Sequence, residues 1–423
     1  MSPHRRLGLS SIHSVSMVML VALLTVAVGA QKAASTVDAN APAQVDTTRQ
    51  IFLVGDGTPA SCTKDAIQFE LWAALAAGGG NVFFNCGPDP VTIPISTGDP
   101  LTFFDNTTID GSGRITLQAR LDGLSLEVDG GATVLMKNLT IVSSLNTTGV
   151  LNKGNLTVWE CTFSGSGGAI LSGGDWGGSS LNIIQSTFSN SGPGQNTAVT
   201  ILSGTGSVRR STFSNTAGGL GGAIEILARP GRGTLDIANS RFLGNLGEGA
   251  GAIYNEGVLT IENSEFAGNH AVNSAGAIGN VGSLTVTNTT FANNLTHGPS
   301  GGAITGNGTI VIRNCDFLNN RAYWGGALDV SGQVTVLDST FSGNSAVQGG
   351  AIYTSADPLT IRRSIVITNT AFNDGGGIFV AGGSLVQHRD TIIDNFPNDI
   401  IFAAPSISTA APTGTVDPTR RNK

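Results

Sequence analysis

Gly251-Ala-Ile-Tyr-Asn-Glu-Gly-Val-Leu-Thr-Ile-Glu-Asn-Ser-Glu-Phe-Ala-Gly-Asn269 is one unit of a repeat that recurs, with drift, from about residue 145 to about residue 395. Three columns define it. Phe163, Phe188, Phe213, Phe242, Phe266, Phe291, Phe317 and Phe341 are separated by 25, 25, 29, 24, 25, 26 and 24 residues, and Val366 and Ile392 continue the series. A second column is Ala252-Ile253 and its counterparts Ala169-Ile170, Ala223-Ile224, Ala277-Ile278, Ala303-Ile304, Ala327-Leu328, Ala351-Ile352 and Gly377-Ile378. The third is Leu259-Thr-Ile261, matched at Leu235, Leu284, Ile310, Val334 and Leu359 by triplets that alternate apolar, polar, apolar. That alternation is the period of a strand with one buried face.

A unit of about 25 residues with short strands and no helix cannot bury its apolar face alone, whereas stacked units can. Equivalent strands then run parallel, with right-handed connections. The expected fold is therefore all-β: a single-domain right-handed parallel β-helix, a solenoid over residues 50–402, with its regular repeats from about 145 to 395. Roughly a dozen coils at ~4.8 Å each give a rod about 55–60 Å long. Phenylalanines stack inside, and paired glycines permit tight corners or positive φ. Asn245, Asn269, Asn294, Asn320, Asn344, Asn369 and Asn395 follow the aromatic column by three residues. They are expected at turns and in a hydrogen-bonded ladder.

The segments outside the repeat are simpler. Arg5, Arg6, an apolar run from Met17 to Val28 and the small residues Val28-Gly29-Ala30 read as a signal peptide over 1–30, leaving no transmembrane segment after cleavage. Residues 31–49 form a flexible leader, and residues 403–423 a disordered tail. Thr63 caps a predicted helix over 63–77 that carries Ile67, Leu71 and Leu75 in one stripe, widened by Phe69 and Trp72. Its expected place is over the open N-terminal end of the stack. Short β-like runs from Val82 to Ile141 suit irregular first coils.

Cys62 and Cys86 flank this helix and can pair in an oxidising compartment. Cys161 and Cys315 share one slot of the repeat six coils apart, roughly 29 Å, too far to bridge. They stand where other coils put serine. No Cys-x-x-Cys or His/Cys cluster has metal spacing, so no metal or cofactor is expected. The 59 glycines are about twice the usual share, charged residues make up 12% of the chain, and the net charge is −7. That balance excludes a basic nucleic-acid footprint. Asn-x-Ser/Thr sequons at Asn106, Asn138, Asn146, Asn155, Asn288, Asn294 and Asn307 are what chance gives in a chain so rich in Asn and Thr.

Gly301-Gly-Ala-Ile304, Gly349-Gly-Ala-Ile352, Phe242-Leu-Gly-Asn245, Phe266-Ala-Gly-Asn269 and Phe341-Ser-Gly-Asn344 together resemble the repeat of the chlamydial polymorphic outer-membrane proteins. More broadly, the pattern resembles bacterial secreted right-handed parallel β-helix proteins over roughly residues 50–400, including the entry segment from Cys62 through Thr107-Thr-Ile-Asp-Gly111. The resemblance implies surface display and adhesion. Those proteins end in a translocator barrel, for which this chain has no strand series.

Many right-handed β-helices process polysaccharides in a groove beside one strand face. The positions after each Ala-Ile are expected to line that face: Leu171, Glu225, Tyr254, Gly279, Thr305, Asp329, Tyr353 and Phe379. Glu225 and Tyr254 should be neighbours. Glu256 lies diagonal to Glu225 at roughly 8 Å, a separation used by inverting glycosidases. Glu225 and Glu256 are thus the catalytic candidates, and Tyr254, Asp329, Tyr353, Arg229 and Arg232 the ligand-binding ones. Arg229 and Arg232 fall in the 29-residue coil, whose extra residues should form a loop beside this patch. Against catalysis, the acid and histidine series of polygalacturonases is missing, and Arg229-Pro-Gly-Arg232 matches the pectate-lyase arginine motif only superficially. His270, His297 and His388 are scattered in the sequence, without a nucleophile signature. Gly173-Gly-Asp-Trp-Gly-Gly178 does not repeat as a calcium-binding array would. The sequence thus reads as a secreted or surface-exposed non-catalytic scaffold, adhesin-like or glycan-binding, whose partner is a polysaccharide or a host or cell-surface ligand. The alternatives are a polysaccharide-processing enzyme of lyase or glycoside hydrolase type and a structural cell-envelope protein.

Overall fold

Thirteen parallel strands, from Leu101–Phe103 to Ile400–Phe402, form one continuous sheet in which every strand pairs with its equivalent in the next coil. We call this the front sheet. A 25-stranded parallel sheet folds around the other two sides of the rod. The computed structural model describes residues 48–403 except 96–98, 120–122, 145–146, 166, 175–177, 190–196 and 229–231. All of them belong to one compact unit. The expected signal peptide, most of the expected leader and nearly all of the expected tail lie outside the described residues. The architecture is a right-handed parallel β-helix of about 12 turns, with a single α-helix among the described residues.

Each coil turns its corners with residues chosen for backbone conformation. Asn263, Asn288 and Asn314 occupy the left-handed region, with φ of 49°, 50° and 51°, between the strands that flank them. For example, Asn263 separates Val258–Glu262 from Glu265–Ala267. Asparagine tolerates that region because its short side chain can bond locally. These turn asparagines lie six residues before the ladder asparagines. The ladder asparagines keep both halves of their expected role: they stand in the next corner, as Asn269 does between Glu265–Ala267 and His270–Ala271, right after the positive-φ Gly268.

The ladder half of that role is present in full. Asn320 is completely buried; its Nδ2 donates to Asn344 Oδ1 at 3.0 Å and to the Phe291 carbonyl at 2.9 Å. Its Oδ1 accepts from Asn294 N and Nδ2 at 3.0 and 2.9 Å. The same pattern links Asn245, Asn269, Asn294, Asn344, Asn369 and Asn395. Asn294 is therefore a sequon whose amide is sealed in the core. A parallel ladder of serines runs beside it, each hydroxyl accepting from the backbone of the preceding coil. Cys161 and Cys315 take the serine slot and are buried outside any disulfide. Burial pushes the Cys161 thiol up to about 12, so it is inert as a nucleophile.

Between the ladders the phenylalanines stack. Phe266, Phe291 and Phe317 lie with ring centroids 5.0 and 4.9 Å apart and nearly parallel planes. The repeat glycines serve close approach more than positive φ. A Cβ on Gly302 would collide with the Gly326 carbonyl oxygen of the next coil.

The helix, α1, spans Lys64–Ala76, with the Thr63 side chain accepting from Ala66 N. It packs on Ile51–Val54, Gly80–Phe84 and Leu101–Phe103, the first strands of both sheets, and so closes the N-terminal end of the stack. Its inward stripe is Ile67, Leu71 and Ala74. Phe69, Trp72 and Leu75, expected on that face, are 65%, 58% and 46% exposed. At 100° per residue Phe69 points away from Ile67, and a flat coil end accepts only a narrow stripe. Cys62 and Cys86 are joined as a disulfide across this entry segment, with Cα atoms 5.7 Å apart. A loop of that size stabilises by about 3 kcal/mol in the chain-entropy view.

Candidate functional site

The front sheet presents one outward residue per coil. The strand register aligns Thr102, Glu127, Leu151, Leu171, Thr200, Glu225, Tyr254, Gly279, Thr305, Asp329, Tyr353, Phe379 and Ile401 in a single column. Glu225 and Tyr254 are direct neighbours in it. Residues that are 20 to 30 apart in sequence thus become a surface with about 4.8 Å between steps.

Glu225 and Glu256 are both engaged. Glu225 Oε1 accepts from Thr197 Oγ1 at 2.6 Å and from Gly221 N at 3.2 Å. Glu256 Oε2 accepts from Ala228 N at 3.0 Å. Its Oε1 accepts from the Tyr254 hydroxyl at 3.2 Å. Burial, then the Glu256 carboxylate, holds the Tyr254 phenol above its usual range, so it stays a donor. Arg232 stands exposed ahead of Thr234–Ala238, and Arg229 lies outside the described residues.

On the C-terminal side of Tyr254 the column falls to Gly279 and Thr305. A Cβ at Gly279 would sit 3.4 Å from Tyr254 Cδ2. Glycine there leaves the flank of the Tyr254 ring uncovered. The result is an open trough of about 210 Å³ lined by Tyr254, Ser274, Gly279, Asn280, Val281, Thr305, Gly306, Asn307, Asp329, Ser331 and Ser355. From the coil of Tyr254 to that of Ser355 it runs roughly 19 Å, four steps of ~4.8 Å. Thr305 Oγ1 accepts from Gly301 N at 2.8 Å and keeps its own proton for donation.

Beyond Asp329 the surface becomes aromatic. Tyr353 stacks between Trp324 and Phe379, with centroids 5.4 Å from each and interplanar angles of 15° and 2°. Tyr323 packs edge-on against Trp324. Sequence reasoning placed Tyr353 and Phe379 on this face but missed Trp324. It belongs to the corner before its strand, and no column marks that position in the repeat. The scattered His270 and His297 also meet, edge to face at 4.6 Å, on a corner strand pair.

Asp329 is half-buried, and no described group donates a hydrogen bond to its carboxylate. Burial therefore raises it to about 7, with no compensating partner. A strongly raised acid in a trough is a functional-site signal. It also makes a prediction about stability. A carboxyl whose pKa is higher folded than unfolded contributes fully below the unfolded value of 3.8 and loses that contribution as pH rises through about 7. Asp329→Asn is expected to raise stability by about 2–4 kcal/mol at pH 8.5 and to give no such gain at pH 3.5. Thermal melts of both proteins across that range check it, and equal gains at both ends would refute it.

A right-handed parallel β-helix with an open trough on one sheet is thus the class that fold and site define. Residues 226–396 match the family profile described as a right-handed beta helix region. No curated protein matches the chain in sequence. Among solved structures, PfbA, a surface adhesin of Streptococcus pneumoniae, is similar at 12% identity, covering 86% of this chain and 96% of that one, with a TM-score of 0.41. A tailspike protein mutant of E. coli bacteriophage HK620, in complex with a pentasaccharide, is similar at 11% identity, covering 77% and 74%, with a TM-score of 0.41. The Azotobacter vinelandii mannuronan C-5 epimerase AlgE4 A-module shares 15% identity, covering 84% and 100%, with a TM-score of 0.28. Among the described residues no helix is long and apolar enough to cross a membrane, and no three His, Cys, Asp or Glu side chains gather to hold a metal ion.

Proposed function

We propose that this chain is a secreted or surface-exposed, non-catalytic scaffold that binds glycan along its front sheet. The observation that carries this reading is the trough between Tyr254 and Asp329. It offers an aromatic ring with an open flank, a floor of glycine, and hydroxyl and amide groups from Ser274, Thr305, Ser331 and Asn307. Carbohydrate rings pair C–H faces with aromatic rings and hydroxyls with such groups. Glu256 acts here as a positioning residue, holding the phenol of Tyr254. Inverting hydrolysis requires one carboxylic acid and one free carboxylate facing a bond. Both Glu256 oxygens and Glu225 Oε1 instead accept hydrogen bonds from neighbouring groups. A signal-like N-terminus and the Cys62–Cys86 bridge support export. The Gly-Gly-Ala-Ile and Phe-x-x-Asn resemblance to the chlamydial polymorphic outer-membrane proteins extends the reading to surface display.

The test is a glycan array on the full chain with matched turnover assays. Binding without product, weakened about tenfold (about 1.4 kcal/mol) by Tyr254→Ala and retained by Tyr254→Phe, is the expected result. Product formation that disappears in Glu225→Gln would replace the scaffold by a polysaccharide-processing enzyme.

A further inference from the structure

We infer that the trough selects glycans without anionic groups, either uncharged or bearing amines, and excludes chains of uronic acids. The inference rests on the glycan reading above and adds the charge class of the ligand. Among the residues that line the trough, Asp329 is the one carboxylic acid, and none is Lys, Arg or His. A bound uronate would bring its own carboxylate to a half-buried acid with no cation nearby to offset the repulsion.

The surroundings point the same way. The coil just before the trough carries Glu225 in the same outward column, and Glu256 stands beside Tyr254. On the column's first coils, Glu127 is already neutralised by Lys153 at 2.6 Å. Arg232 belongs to the coil of Glu225 and not to those that line the trough. What remains for recognition is neutral: hydroxyls and amides that match sugar hydroxyls. An amine on the sugar would meet Asp329 and form a charge-assisted hydrogen bond with it, the stronger kind.

Binding of three probe sets to the full chain at pH 8 tests this: neutral glucan oligomers, partly deacetylated chitin oligomers, and oligomers of galacturonic or mannuronic acid. Neutral or amino-bearing oligomers are expected to bind at least about tenfold more tightly than the uronates. In Asp329→Asn the ratio of amino-sugar to uronate affinity should fall about tenfold or more, a readout that a mere change in stability would not produce. Uronates that bind as well as neutral oligomers, or a ratio untouched by Asp329→Asn, would overturn the inference while leaving glycan binding intact. Binding of none of the three sets would overturn the glycan reading, and this inference with it.

Discussion

Asn320→Asp is expected to remove about 4–6 kcal/mol at neutral pH, enough to unfold the middle of the rod. The wild-type amide uses both of its donors and both acceptor sites, and it is completely buried. A carboxylate keeps the acceptor geometry but has no donor for Asn344 Oδ1 or for the Phe291 carbonyl. It then presses negative charge against two oxygens in a medium of low dielectric. Protonation relieves part of this, so the variant should be least impaired near pH 4 and worst at pH 8. The sign follows from a carboxyl whose folded pKa is raised. The neighbouring Asn319 provides the control, being exposed and at a corner with φ 55°. Asn319→Asp should stay within about 0.5 kcal/mol of wild type. Denaturant midpoints of the three proteins decide it; equal losses at 319 and 320 would refute the ladder argument.

The second large effect is Phe291→Ala, for which about 4–5 kcal/mol is expected, the upper part of the range for a core aromatic. The ring is fully buried between two parallel neighbours, so deletion leaves a cavity and breaks two stacked pairs at once. A rod that carries the same side chains in every coil has little freedom to collapse into the gap. Ile392→Ala, in the same column near its end, should cost clearly less, because that side chain is only partly buried. Amide exchange adds a spatial test. Each coil touches only its neighbours, so lost protection should concentrate in the coils of Phe266, Phe291 and Phe317 rather than spread along the rod.

The repeat made the fold legible because stacking is what its residues require. The column that follows Ala-Ile was readable to the residue, since a strand register of zero shift maps sequence period directly onto neighbouring positions. Asn245 and its equivalents were readable both as a ladder and as corner residues, because asparagine serves both purposes. The turn asparagines such as Asn263 are distinguished by backbone conformation, which sequence does not display. The α1 stripe failed at Leu75 for a related reason: helix periodicity admits Ala74 or Leu75, and only the shape of the coil end chooses.

At the site, sequence located Glu225, Tyr254 and Glu256 together, with the two carboxylates as candidates for the alternative, catalytic reading, but did not show what holds them. Their hydrogen bonds to Thr197, Gly221 and Ala228 come from loops whose geometry no periodicity describes. Gly279 was passed over as a blank in the column, and Trp324 was missed because it stands outside all three columns. Both are defined by what lies in the next coil, which is information about packing.

The open stretch between Tyr254 and Asp329 has one further consequence. It is set by two intervening coils, those of Gly279 and Thr305, and nothing else spans it. Its reach is therefore quantised. Loss or duplication of one whole coil would keep every ladder continuous while shortening or lengthening the gap by one step of ~4.8 Å. A protein built this way carries a ruler whose gradations are gene segments of about 25 codons. On the glycan reading proposed above, the length of ligand accommodated would be retuned by recombination between repeats, without inventing a new contact.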